Sequence, residues 1–318
     1  MLEYLYLLLF SFAVSYGVTY FLIPRLRRAG LVGKDVNKPD KPEVAEMGGI
    51  GIVAGFTAGV LLAVLLQPTF GFNLIFVLGA LITIHSIAFI GIVDDLLDIP
   101  QWVKAFLPLF AAAPLVALSG AGSTALTIPF IGAIDLGLIY IFVLIPIGIA
   151  VASNLTNMLA GFNGLETGNG IIIFATMAIL AFSHGAIEML VLFIPMLGGL
   201  FAFLFFNKYP AKVFPGDVGN LTIGAALAAG VIVGNFETAG AILLVPYVVD
   251  FFIKLYNKFP SREWWGEFRD GKLYPVGKVK GFAQLVMQKA GGISEKNLVM
   301  FFIFLEMMFG LVVLFLYL

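Results

Sequence analysis

The sequence predicts an all-α, polytopic membrane protein, and three observations carry that prediction. The composition is 61% hydrophobic and 12% charged with a mean hydropathy of +1.04, whereas a soluble chain carries about a quarter charged residues. Ten apolar segments approach the roughly 20 residues that cross a bilayer. When these ten are taken as spans, all 18 Lys and Arg residues fall in or at the edge of the loops on one side. The alternating pattern of a β-barrel is missing, which leaves helices as the way to satisfy backbone polar groups in lipid.

The segments run at about 3–24, 48–67, 73–93, 101–119, 136–158, 168–183, 186–206, 218–234, 238–257 and 298–317. The fourth, sixth and eighth are short or broken by glycine, so nine spans is the alternative count. Met1–Phe21 has no preceding basic region and no small-residue cleavage site, and reads as a retained first span rather than a cleaved signal. The basic side holds 25–47, 94–100, 159–167, 207–217 and 258–297, and the opposite loops carry only acids such as Asp135, Glu188 and Glu237. The positive-inside rule makes the basic side cytoplasmic and both termini external. The chain reads as one membrane domain, 1–318, with 258–297 a cytoplasmic substrate-binding loop within it.

The absence of Cys excludes disulfides, thiolate chemistry and Cys-based metal sites. The two His residues, His85 in an apolar run and His184 in a short turn, leave no nucleophilic triad on the basic side. No basic run indicates nucleic acid, and a net charge of −1 selects no partner.

Polar residues are concentrated in islands on the basic side, where charge near a membrane is expensive. Asp94, Asp95 and Asp98 repel one another unless a cation, Lys or water lies nearby. With Lys104 close behind, they suit a Mg2+–phosphate site; a solvated acidic loop is the plainer alternative. Asn154 and Asn157 share one helix face, as ligands or as interhelical hydrogen bonders. Asn163, Gly164 and Glu166 follow in a turn. Phe214-Pro215-Gly216-Asp217 opens the eighth span, and a glycine-rich turn at a helix N-terminus suits a phosphate, though Asp217 also fits as a helix cap. The 258–297 loop carries Arg262, Arg269, Lys272, Lys278 and Lys280 with Trp264, Trp265 and Phe268. It suits an anionic substrate or anionic lipid.

Together these motifs resemble the polyprenyl-phosphate N-acetylhexosamine-1-phosphate transferase family over almost the whole chain. Lys34-Asp35-Val36-Asn37-Lys38 and Gly271-Lys272-Leu273 are most similar to the eukaryotic and archaeal dolichyl-phosphate branch. The His-rich loop of the bacterial peptidoglycan-precursor branch is absent, and of the eukaryotic Pro-Arg-His-Arg loop only Pro260-Ser-Arg262 remains.

The resemblance implies transfer of GlcNAc-1-phosphate from UDP-GlcNAc to a polyprenyl, specifically dolichyl, phosphate. The products are GlcNAc-diphospho-polyprenol and UMP, the first membrane step of glycan assembly. It also implies Mg2+, with Mn2+ as a substitute, on Asn157 and Asp217. Phe214 stacks on uracil, Asn163 and the Val36 backbone contact the base, and Glu46 lines the nucleotide pocket. Lys104 holds phosphate oxygens, Asp94 and Asp95 position or deprotonate the lipid phosphate, Asn154 and Asp98 support them, and Arg262 clamps the diphosphate. The lipid bilayer is the expected environment, the cell membrane the expected location, and a homodimer is left open. Three other readings stand beside this one: another UDP-N-acetylhexosamine as donor for an envelope polymer, a secondary transporter with an ion relay, and an inactive lipid-binding scaffold.

Overall fold

The computed structural model describes residues 2–119, 123–260 and 265–318. The chain folds as a helical bundle. Its elements are, in order, α1 (Leu2–Arg28), β1 (Val32–Lys34), β2 (Glu43–Ala45), α2 (Gly49–Leu65), α3 (Gln67–Phe70), α4 (Leu74–Leu97), α5 (Gln101–Ala111), α6 (Ala113–Ser119), β3 (Ala125–Ile128) and β4 (Gly132–Asp135). A π-helical turn (Tyr140–Leu144) leads into α7 (Ile145–Met158), α8 (Leu165–His184), α9 (Ile187–Asn207), α10 (Gly216–Gly234), α11 (Glu237–Leu243) and α12 (Val245–Tyr256). β5 (Gly266–Arg269), β6 (Lys272–Pro275), α13 (Phe282–Lys289) and α14 (Glu295–Tyr317) complete it.

Every one of the ten apolar segments is helical. Among the described residues eight helices are long and apolar enough to cross a membrane, or nine if α11 and α12, bent by 59° at their junction, count as one span. The tenth segment is α2, an apolar helix of 17 residues, about 25 Å long at 1.5 Å per residue. Large apolar side chains point outward along the bundle, including Leu65, Phe110, Phe142 and Phe315. Such a surface suits lipid rather than water.

α10 is the central helix and packs on α4, α7, α9 and α2. Its sequence is rich in Gly and Ala, and small residues let membrane helices approach closely. A side chain at Gly49 of α2 would collide with the backbone of Gly219 of α10. The centre of the bundle thus holds the helix whose first turn carries Asp217.

The structure departs from the expected boundaries in informative places. α4 runs on to Leu97, so Asp94 and Asp95 sit in the last turn of a helix rather than in a loop. Among the described residues three antiparallel two-stranded hairpins, β1–β2, β3–β4 and β5–β6, lie between helices; their strands of three or four residues are too short to read from an alternating pattern. The five polar islands gather at one end of the bundle, linked by Asn37–Gly161, Asn37–Gly266, Gly48–Phe214 and Asp95–Asp217 hydrogen bonds. At the other end, Glu188 accepts from the Asn73 amide at 2.7 Å and Thr238 donates to the Thr127 carbonyl at 2.7 Å.

Candidate active site

The corner where α4, α5 and α10 meet collects the charges. Pro100 opens α5, and Lys104 makes its first-turn bond back to the Pro100 carbonyl at 3.1 Å. The Lys104 ammonium lies 2.6 Å from Asp94 Oδ2 and also bonds Asp217 Oδ2. Asp94 is anchored further by accepting from the Ile99 amide at 3.0 Å. One ammonium therefore faces Asp94 and Asp217, with Asp95 adjacent, and the excess negative charge suits a further cation.

Asp95 does something the sequence did not reveal. Its two carboxylate oxygens accept from the amides of Asp217, at 2.8 Å, and Val218, at 3.1 Å. It thus satisfies two of the four free N–H groups that open α10, from another helix. Gly216 takes φ +67°, and a Cβ there would lie 2.6 Å from Asp95 Oδ2, so the turn needs glycine to approach. Asp98 is the exposed, left-handed C-cap of α4, and its amide donates to the Asp94 carbonyl at 2.9 Å.

The last turns of α7 bring the amides. Asn157 Oδ1 accepts from Asn220 Nδ2 at 3.1 Å, and Asn220 Oδ1 is buried with no hydrogen-bond partner. Asn154 Nδ2 donates to the Ala150 carbonyl at 2.8 Å and to the Ala105 carbonyl at 3.4 Å, tying α7 to α5. Among the described residues no three His, Cys, Asp or Glu side chains form a complete metal site. Asn157, Asp217 and the unpaired Asn220 oxygen are instead a partial set of hard oxygen donors. That fits Mg2+, which keeps waters and shares substrate phosphates.

The β1–β2 hairpin builds a neighbouring wall. Phe214 is pinned by its amide to the Ala45 carbonyl at 2.8 Å and by its carbonyl to the Gly48 amide at 2.9 Å. Glu46 packs beside Gly33, and burial, with Asp95 nearby, raises its carboxyl above the ordinary value of 4.5. Asn163 lies behind this wall, buried. Its amide nitrogen donates to Asp35 at 3.1 Å, its side-chain oxygen accepts from Lys38 at 3.3 Å and from the Ala211 amide at 2.8 Å, and its backbone amide donates to Glu295 at 2.8 Å. Lys38 also pairs with Asp35 at 3.0 Å and with Glu295. The Asn163 side-chain oxygen and one of its two amide N–H groups are engaged by the protein itself.

A cavity of about 1280 Å³ joins these parts. Val36, Glu46, Lys104, Asn154, Asn157, Phe214 and Asp217 line it, whereas Asp94, Asp95, Asp98 and Asn163 stand outside its wall. Arg262 and Trp264 lie outside the described residues. Away from the charges the wall turns apolar, with Trp102, Phe106, Val151, Phe251 and Phe252. Glu166 and Trp265, from the motif turn and the 258–297 loop, also line the cavity, as do Asn220 and Lys254, which the site expected from sequence did not include. Asn220 had a signal, since it follows Asp217 by three and shares its helix face. Lys254 had one too, as a cation within an apolar helix, four residues after Asp250.

The profile of glycosyl transferase family 4 matches residues 77–235, a stretch that carries Asp94, Lys104, Asn157 and Asp217. The chain belongs to glycosyl transferase family 4. A Saccharolobus solfataricus relative, provisionally named UDP-N-acetylglucosamine–dolichyl-phosphate N-acetylglucosaminephosphotransferase, is 40% identical over 96% of this chain and 94% of its own. The Saccharomyces cerevisiae protein of that name is 30% identical over 83% of this chain and 72% of its own. A phospho-N-acetylmuramoyl-pentapeptide-transferase of Borreliella burgdorferi is 27% identical over 77% of this chain and 78% of its own. In this member of the family the charged end of the cavity is built by α4, α5, α7 and α10, all within the matched stretch except the first three residues of α4.

Proposed function

We propose that the chain transfers GlcNAc-1-phosphate from UDP-GlcNAc to dolichyl phosphate, or a similar polyprenyl phosphate, at the cytoplasmic face of the cell membrane. The observation that carries this reading is one cavity with two characters. A charged end with Lys104, Asn157 and Asp217 suits phosphates, and an apolar wall from α5, α7 and α12 suits a lipid chain. The names of the relatives supply the sugar and the acceptor. The clustering of cations at the island end supports the cytoplasmic placement.

In the reaction, an oxygen of the lipid phosphate attacks the sugar-bearing phosphorus. A new P–O bond forms there, the bond from that phosphorus to the bridging oxygen breaks, and the electron pair leaves with UMP. The lipid phosphate, with a second pKa of about 6, is largely dianionic near neutrality and is a competent nucleophile. What remains for the protein is positioning and charge neutralisation. Lys104, held in place by Asp94, binds phosphate oxygens. Asp95 fixes the first turn of α10 and so aims Asp217. Phe214 offers its ring to uracil beside the Val36 backbone, with Glu46 on the same wall, and Asn163 braces that wall from behind. Asn157 and Asp217, with Asn220 beside them, would hold Mg2+. Bound there, the metal supplies neutralisation of the diphosphate charge.

The test is to supply purified protein with dolichyl phosphate and a panel of UDP-sugars, reading UMP release and product mass. UDP-GlcNAc yields GlcNAc-diphospho-dolichol and UMP. Product from a different UDP-N-acetylhexosamine alone would reassign the donor, and solute movement without UMP would identify a transporter.

A further inference from the structure

Lys254 is a cation on α12, whose neighbours along the cavity wall, Val248, Phe251 and Phe252, are apolar. Its ammonium donates to the carbonyl of Met158, the last residue of α7, and lies 2.7 Å from Asp250 Oδ2, one turn earlier on its own helix. The carbonyls of a helix's last turn lack intrahelical partners, and a cation there also faces the negative end of the helix dipole. Asp250 is buried, and its other oxygen accepts from the amide of Phe282, the first residue of α13, at 2.7 Å. The contact is close, since a Cβ at Gly281 would lie 3.0 Å from Asp250 Oδ1 and 3.4 Å from Lys254 Cε. From α13, the buried Gln284 amide donates to the Trp265 carbonyl at 2.9 Å. Hydrogen bonds and one ion pair therefore connect Met158, next to Asn157, through Lys254 and Asp250 to α13 and Trp265. Asn157, Met158, Lys254 and Trp265 all line the cavity.

We propose that Asp250 and Lys254 form a positioning pair that locks the last turn of α7, and with it Asn157, to the segment that walls the cavity through α13 and Trp265. The pair lies at the midpoint and in the last turn of α12, the helix that follows the 59° bend after α11. That bend places α12 against both α7 and α13. The proposal rests on the phosphotransferase reading for its kinetic consequence, but its structural consequence stands alone. Without the ammonium, the end of α7 frays and the Asn157 amide loses its fixed direction. Without the carboxylate, α13 loses its anchor and the wall at Trp265 loosens.

Two measurements on the full-length protein in lipid nanodiscs test this. The first is hydrogen–deuterium exchange without substrate or metal. Lys254→Met should speed exchange in the last turn of α7 and at the start of α13 while leaving α1, α8 and α9 unchanged, and Lys254→Arg should restore most of the protection. The second is UMP release. Removing a group that orients a metal ligand typically costs about 10–100-fold in activity or metal affinity. Lys254→Met should therefore lower kcat and raise the half-saturating Mg2+ concentration within that range, with the KM for UDP-GlcNAc moving less. Exchange in Lys254→Met equal to the parent in both segments would overturn the proposal. So would faster exchange spread over the whole bundle that Lys254→Arg does not reverse, which would mark a general packing role. Absence of UMP release from the parent protein would refute the phosphotransferase reading instead, and the exchange result would still decide the pair.

Discussion

Replacing Asp95 separates two roles that are hard to tell apart by activity alone. As the proton-handling group expected from sequence, Asp95 would matter through its chemistry. As the cap of α10, it matters through two hydrogen bonds, 2.8 and 3.1 Å, to the amides of Asp217 and Val218. Loss of a capping side chain costs about 0.5–2 kcal/mol, and a hydrogen bond to a charged group contributes about 1.5–3 kcal/mol. Asp95 is half-buried, which places Asp95→Ala at about 2–4 kcal/mol of lost stability. With an unfolding entropy of about 2.1 cal/mol/K per residue, a chain of 318 residues loses about 1.5 °C per kcal/mol, so the melting temperature should fall by roughly 3–6 °C. Asp95→Asn keeps one acceptor oxygen but places an amide N–H2 against the second backbone N–H, and should lose about half as much. Because the cap also aims Asp217, turnover should fall together with stability, by a factor independent of pH. The assays are thermal unfolding of the detergent-solubilised protein and UMP release from pH 5 to 8. A different pattern would refute the capping role: an unchanged melting temperature, with an activity defect that is worst at low pH and fades above about 6, where the lipid phosphate no longer needs a base.

Chelator should abolish activity and Mg2+ or Mn2+ should restore it, and Asp217→Asn should lose activity by orders of magnitude while melting near the parent temperature; full activity in chelator would reject the metal role. Glu46 has a raised carboxyl pKa, so its neutral form favours the folded state and stability declines as pH rises from 4.5 through the raised value. Glu46→Gln should flatten that part of the stability–pH profile, and an unaltered profile would mean that burial does not perturb this carboxyl. With no native Cys to interfere, single-Cys variants at Lys212 and Lys280 should resist impermeant labelling from outside intact cells, whereas one at Glu188 should label. Outside labelling at position 280 would overturn the proposed orientation.

The apolar runs were legible because membrane helices are specified locally: length and hydropathy suffice, and all ten segments are helical. The hard-oxygen motifs were legible for a related reason, since charge beside an apolar helix is costly and signals a use. Boundaries were less so. α4 outlasts its apolar run because Lys104 and the α10 amides make Asp94 and Asp95 tolerable inside a helix, and both partners come from elsewhere in the chain.

By itself, then, the sequence determined the helical class, the segregation of cations and the inventory of chemical groups at one end of the bundle. The tertiary structure alone decided the role each group can take. Asp94 and Asp95 are adjacent in sequence and chemically alike, yet one holds Lys104 and the other caps α10. Asn163 and Asn157 are both amides of one motif, yet Asn163 is consumed by Asp35, Lys38 and Ala211 while Asn157 faces the cavity. Glu295 lies 257 residues from the Lys38 it neutralises, and no local pattern announces such a partner. Hydrophobic periodicity is a property of neighbouring residues. Which polar group is consumed by the protein, and which is left for a substrate, depends on distances that exist only once the helices have packed.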